Sequence, residues 1–298
     1  LLLSFFLIHG TQESTKLNRI LVFVKLTAVF IFLLLAGPHV DTANWEPFMP
    51  FGFSGVAGGA AIVFFAYIGF DAVATSAEEC KNPSHDLPIG IIGSLVICTL
   101  LYVVVAAVLT GIVPYTELNS PEPVAFALRY IGYNIGSAIV GVGAIAGITT
   151  VLLVLLYGQA RIFFAMSRDG LVPKSICKIH SRYATPHRIT MLVGIAVAVI
   201  SGFTPINVVA EMCSVGTLFA FIVSSVGVMV MRHKYPEAQR PFRCPAVYVM
   251  GTLSILSCAY IMYNLSRMTW ERFWVWSAIG CFIYFIYGYR HSRENTKQ

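Results

Sequence analysis

Gly55-Val56-Ala57-Gly58-Gly59-Ala60-Ala61-Ile62-Val63-Phe64-Phe65-Ala66-Tyr67-Ile68-Gly69-Phe70-Asp71-Ala72-Val73-Ala74-Thr75-Ser76-Ala77 is long and apolar enough to cross a bilayer. Its composition does not suit a plain lipid-facing helix. Glycines cluster at one end, and Gly69 sits near the middle beside Asp71. An ionisable group at that depth costs several kcal/mol without a partner or water. A helix interrupted near the midplane exposes backbone groups to a cavity, as transporters do. The first half-helix is expected to end near Phe65-Ala66-Tyr67-Ile68, where the last carbonyls lose their intrahelical donors and carry partial negative charge. A substrate ammonium is the natural complement. The alternative is a merely kinked helix whose glycine serves packing.

Composition extends this reading to the whole chain. Apolar residues make up 57% of it and charged residues 11%, with mean hydropathy +0.76. A soluble domain carries about 25% charged residues, so the excess apolar surface must face lipid or other buried helices. Spanning structures are limited to helices and closed barrels, and the near-continuous apolar runs here lack the alternation of barrel strands. The net charge of +6 lies almost wholly in particular loops, with no aromatic-interleaved basic surface for nucleic acid.

The apolar runs predict complete spans over 18–36, 55–77, 88–113, 134–160, 189–203, 206–231, 246–263 and 273–290. Before them, residues 1–10 read as the remnant of an earlier span, so the chain is expected to be a fragment of one transmembrane domain covering 1–298. Residues 291–298 read as a polar tail. In alternate loops Lys and Arg divide 16 to 3, with Lys25 inside a span, which predicts a cytoplasmic C-terminus. The run 134–166 is too long for one crossing and is expected to protrude through Arg161. The polar stretch 167–188 follows as a loop. Small-residue spacings at Gly55/Gly59, Gly132/Gly136 and Gly143/Gly147 suggest tight helix approach.

Four further features bear on chemistry. Lys25 lies about 10 Å into its span at helical rise. It either snorkels to the headgroups or faces the bundle interior, where a buried amine can gain and lose a proton in a coupled cycle or replace a bound sodium ion. Thr149 and Thr150 either bond their own helix's carbonyls or offer a hydroxyl to Lys25. Glu78 and Glu79 end the interrupted span and are either solvated or pair with Arg161 as an inner gate. Asp86 with Pro88 reads as a helix N-cap and first turn. The seven cysteines show no metal-ligand spacing and are expected to be reduced and buried. There is no metalloprotease, nucleophile-elbow or phosphate-loop motif, so neither an enzyme nor a cofactor is expected.

Three segments carry a family resemblance. FFAYIGFDAVATSAEECKNPSHDLPIGI (64–91), GQARIFFAMSRDGLVP (158–173) and PHRITMLVGIAVAV (186–199) resemble the cationic amino acid transporter family of the amino acid–polyamine–organocation superfamily. The compact loops are closer to its bacterial members. The resemblance implies an all-α membrane protein with the leucine-transporter-type inverted repeat, incomplete here. Residues 1–10 would end span four, 18–231 would be spans five to ten and 246–290 spans eleven and twelve. It also implies that the carbonyls of Phe65, Ala66 and Ile68 bind the substrate amino group, and that Lys25 stands in for sodium in proton-coupled members. Asp71 lies in the same motif as a possible partner of Lys25. Ile148 falls where span eight borders the substrate side chain.

The expected function is therefore a secondary active, proton-coupled and sodium-independent amino-acid transporter in the plasma membrane, working by alternating access. Its partners would be an amino acid, protons and the bilayer. A branched apolar Ile148 narrows the pocket and offers nothing to a charged side chain, which favours small neutral L-amino acids. The first broken span, which in this family binds the carboxylate, is not in the chain, so this piece alone is not expected to transport. The rival readings are a cationic amino acid or polyamine transporter of the same fold and, from another class, a transport-inactive amino-acid sensor.

Overall fold

The computed structural model describes residues 2–9, 11–70, 72–75, 80, 82–173, 187–240 and 242–291, and among them the regular structure is helical throughout. In chain order the helices are α1 Leu2–His9, α2 Thr11–Ala36, α3 Gly52–Val63, α4 Ala72–Thr75, α5 Pro83–Ile112 and α6 Pro123–Tyr130. Then follow α7 Asn134–Arg168, α8 His187–Phe203, α9 Ile206–Lys234, α10 Val247–Tyr263 and α11 Arg267–Ile283. A π turn at Tyr284–Gly288 leads into α12, Tyr289–His291.

Four of these are long and apolar enough to cross a membrane alone: Lys16–His39, Pro83–Ile112, Asn134–Arg168 and Ile206–Lys234. Gly52–Tyr67 and His187–Phe203 are shorter apolar helices, and Val247–Tyr263 with Arg267–Gly288 forms a pair bent by 116°. At 1.5 Å per residue, α8 or α10 reaches about 25 Å, near the lower limit for crossing the hydrocarbon core. The 35 residues of α7 exceed that limit, as its unbroken apolar pattern implied.

Several boundaries differ from the sequence expectation for physical reasons. α5 starts a turn earlier than its apolar run. Pro83 occupies the first helical position, where a missing N–H is harmless, and Asp86 lies within the first turn, accepting the Asn82 backbone N–H at 3.3 Å. Asp86 is thus not the N-cap. α11 begins at Arg267, well before the apolar run at 273, because Ser266 caps it by accepting the Thr269 N–H at 3.4 Å. Arg267 and Arg272 therefore ride on a helix. The region 114–133, expected to be loop, contains α6, whose Ala125, Ala127 and Leu128 are buried. Arg129 pairs with Glu122 at 2.6 Å beside it.

The chain divides into two compact units. The first comprises 1–50, 96–165 and 174–196. Its core gathers Phe32 and Ala36 from α2, Ile112 and Val113 at the end of α5, Ala127 and Leu128 from α6, and Val140 from α7. The connection after α2 is pinned to α5 by Asn44 donating to the Gly111 carbonyl at 2.8 Å and Trp45 to that of Ala107 at 3.3 Å. The second unit comprises 51–95, 166–173 and 197–298. Its core joins Ala61 of α3, Val215 and Leu218 of α9, Cys258 and Met262 of α10, and Phe273 of α11. Cysteine burial was over-read: Cys213 and Cys281 are exposed, whereas Cys258 is buried.

Candidate functional site

In the second unit, α3 gives way at its C-terminal end. Regular α-helix stops at Val63, two residues before the expected end. A tighter 3-10 turn takes over at Phe64–Tyr67, and residues 68–70 form a turn before the four-residue α4. Ile68 adopts φ −62° and ψ 126°, which swings its carbonyl off the helix direction. Gly69 follows at φ +129°, a backbone conformation that side chains other than glycine's rarely accept. Sequence and structure agree here for one reason: Gly69 permits the reversal, and the apolar residues around it keep both ends in the bundle.

The 3-10 turn shifts which carbonyls are open. The Ile68 N–H donates to the Phe65 carbonyl at 3.2 Å, leaving that oxygen one remaining lone pair. Among the described residues, no donor closes on the Ile68 carbonyl. Phe65 and Ala66 are exposed and Ile68 is half-buried. Asp71, Glu78 and Glu79 lie outside the described residues.

In the first unit, α2 and α7 run antiparallel in direct contact. A Cβ at Gly143 would overlap that of Ala28, one at Gly136 would come within 2.8 Å of the Leu35 side chain, and one at Gly147 would sit 3.9 Å from the Lys25 stem. The spacing signal at Gly136, Gly143 and Gly147 thus marks a true close approach. Gly59 and Gly132 face open space instead. On this narrow seam the Lys25 ammonium donates to the Thr150 hydroxyl at 3.4 Å, and Thr150 in turn donates to the Gly147 carbonyl at 2.7 Å. Thr150 is 2% exposed. Lys25 therefore reaches a neighbouring helix. Thr149 bonds back along its own helix, to the Ile145 carbonyl at 2.8 Å. Ile148 is 62% exposed. The Arg161 guanidinium lies 4.5 Å from the Tyr157 ring centroid, one turn away on α7, a cation–π arrangement.

One polar cluster escaped the sequence reading. Glu211, in the second turn of α9, receives the Ser266 hydroxyl at 2.5 Å and also the Thr269 hydroxyl, which is fully buried. Since Ser266 is the N-cap of α11, the carboxylate caps that helix from a neighbour, where the helix dipole favours negative charge. An acid inside an otherwise apolar run was the available signal.

The second unit thus carries a broken helix, and the first an amine held on an intact helix pair. Sequence comparison identifies the family. The amino acid permease family model matches residues 1–287. The chain belongs to the amino acid permease family. It is 46% identical over 295 residues to a methylthioribose transporter of Bacillus subtilis, covering 99% of this chain and 64% of that protein. It is also 46% identical over 294 residues to the branched-chain amino acid permease BcaP of the same organism, covering 98% and 63%. Cationic amino acid transporter 9, chloroplastic, of Arabidopsis thaliana is 42% identical over 231 residues, covering 78% and 41%. The permease chain thus spans less than two thirds of the length of these relatives. It is an integral membrane protein, and its family consists of permeases and transporters, not enzymes.

Proposed function

We propose that the full-length protein containing this chain is a secondary active amino-acid transporter of the plasma membrane, proton-coupled and sodium-independent, favouring small neutral L-amino acids and working by alternating access. The C-terminus lies on the cytoplasmic side. The observation that carries this reading is the opened backbone at 64–70, where Ile68 and Gly69 leave the helical ladder. In it the carbonyls of Ala66 and Ile68, with the second lone pair of Phe65, accept the substrate ammonium. Lys25 takes the part that a bound cation would otherwise play, with Thr150 orienting its amine. Ile148 limits the side-chain space. Asp71 stays a candidate partner for the amine, and Glu78, Glu79 and Arg161 stay candidates for an inner gate.

The relatives' names favour one refinement. A branched-chain permease at 46% identity supports a neutral aliphatic substrate over a cationic one, so valine and leucine compete with alanine as candidates. The deciding experiment is uptake of labelled alanine into proteoliposomes containing the full-length protein, with a panel of unlabelled competitors. Uptake is expected to rise with an inward proton gradient, to be indifferent to sodium, and to be inhibited by neutral but not basic amino acids. Sodium dependence would remove the role of Lys25. Competition by arginine or polyamines would favour the cationic reading, and saturable binding without uptake would favour a sensor.

A further inference from the structure

A helix broken at 64–70 has lost the hydrogen-bond ladder that would fix its direction, so something else must hold the two sides of the break in register. Within the second unit, one side chain touches both. Phe221, on α9, meets Phe64 at the start of the 3-10 turn edge-on, with ring centroids 6.3 Å apart at 80°. It also meets Phe70, the last residue of the turn, at 5.4 Å and 44°. Phe64 and Phe221 both pack on the core formed by Ala61, Val215 and Leu218, which anchors the ring from behind. The five residues between the two phenylalanines include Ala66, Ile68 and Gly69. All five are exposed or half-buried, and none belongs to that core. Both ends of this stretch rest on one ring.

We propose that Phe221 is a positioning residue for substrate recognition: a clip across the break that fixes the orientation of the backbone oxygens between Phe64 and Phe70. This deepens the transporter reading and rests on it for its consequence in transport, though not for its geometry. Edge-to-face and tilted aromatic pairs add directional preference beyond the area they bury, so the clip restricts rotation as well as filling space. Leucine would fill much of the same volume without a ring face for either partner. Tyrosine would keep the ring.

The test compares Phe221→Leu and Phe221→Tyr with the parent protein, full-length and reconstituted. The first readout needs no substrate: hydrogen exchange of the backbone amides of 64–70. Loss of the clip in Phe221→Leu is expected to raise exchange there by roughly tenfold, the scale of one to two aromatic contacts, with exchange elsewhere on α9 little changed. Phe221→Tyr should restore the parent rate. The second readout is alanine uptake, where Phe221→Leu should raise KM several-fold while Vmax per folded protein changes little. A core-filling role alone predicts the reverse: fewer folded molecules, lower Vmax, and unchanged KM and local exchange. Unchanged exchange at 64–70 in folded Phe221→Leu would overturn the proposal. A parent protein that neither binds nor moves any amino acid would overturn the transporter reading, and the exchange experiment would still decide the clip.

Discussion

In the α2–α7 pair the helices stay intact and side chains supply the polarity; at 64–70 the helix gives way and the main chain supplies it. The first arrangement depends on closeness. Gly143 against Ala28 lets two backbones approach until the Lys25 stem comes beside Gly147 and its amine reaches Thr150. The second depends on departure from regularity, with Gly69 at φ +129° and an aromatic ring holding the ends. A side chain can gain or lose a proton and so carry coupling. A peptide carbonyl cannot, but it offers a fixed acceptor suited to an ammonium group. On the function proposed above, coupling should respond to changes on the intact pair, and recognition to changes at the break.

Substitutions can break or sharpen that division. Lys25→Ala should have the largest effect, removing proton-driven alanine uptake by roughly a hundredfold or more, as expected when an essential proton carrier is lost. Substrate binding, measured by equilibrium titration, should survive better than uptake; equal loss of both would merge the two roles. Gly69→Ala should do the opposite. It forces a Cβ into a left-handed conformation at a cost of about 1–3 kcal/mol, so binding should weaken about tenfold or more while the sodium and proton dependence of the remaining uptake stays as in the parent.

Smaller changes refine the packing side. Gly143→Ala should lower stability by about 1–3 kcal/mol through overpacking against Ala28, seen as a lower Tm in detergent. Gly59→Ala, with nothing within 4 Å of the added carbon, should be neutral or slightly stabilising. Thr150→Val removes the hydroxyl that accepts from Lys25 and should slow coupled uptake by several-fold to tenfold, one hydrogen bond to a charged group being worth about 1.5 kcal/mol. Thr150→Ser should retain most activity. Glu211→Gln, in the cluster that caps α11, should cost about 1 kcal/mol of stability with KM unchanged. A changed KM there would extend the recognition apparatus beyond the break.

Much of this was legible from residue types. Gly69 beside Asp71 in an apolar run marked the break, and Lys25 with Thr149-Thr150 marked the polar seam, because unusual residues at depth need a reason. Deciding between Thr149 and Thr150 needed the helix rotation, since both can bond their own backbone. The start of α11 was missed because Arg267 and Arg272 look like loop charges, while the Ser266 cap that overrides them depends on Glu211 from another helix. α6 is too short for an apolar run to reveal, although Pro123 followed by buried Ala127 and Leu128 carries the pattern. Phe221 could not be found by reading. It is one of 21 phenylalanines, and only tertiary packing distinguishes it.

Arg240 illustrates how one charge can serve at two stages of a protein's life. Its guanidinium donates to the carbonyls of Met231, Tyr235, Pro236 and Ala238, at 3.2, 2.5, 3.1 and 3.0 Å, closing the end of α9. On the orientation proposed above, the same residue is during insertion one of the basic groups that retain a loop on the synthesis side, where only charge matters and lysine would do equally well. Once the loop has folded, the planar fork finds four acceptors that an ammonium could not reach together. Arg240→Lys would thus separate the history of the chain from its finished form: the loop would arrive on the correct side, yet the last turn of α9 would fray.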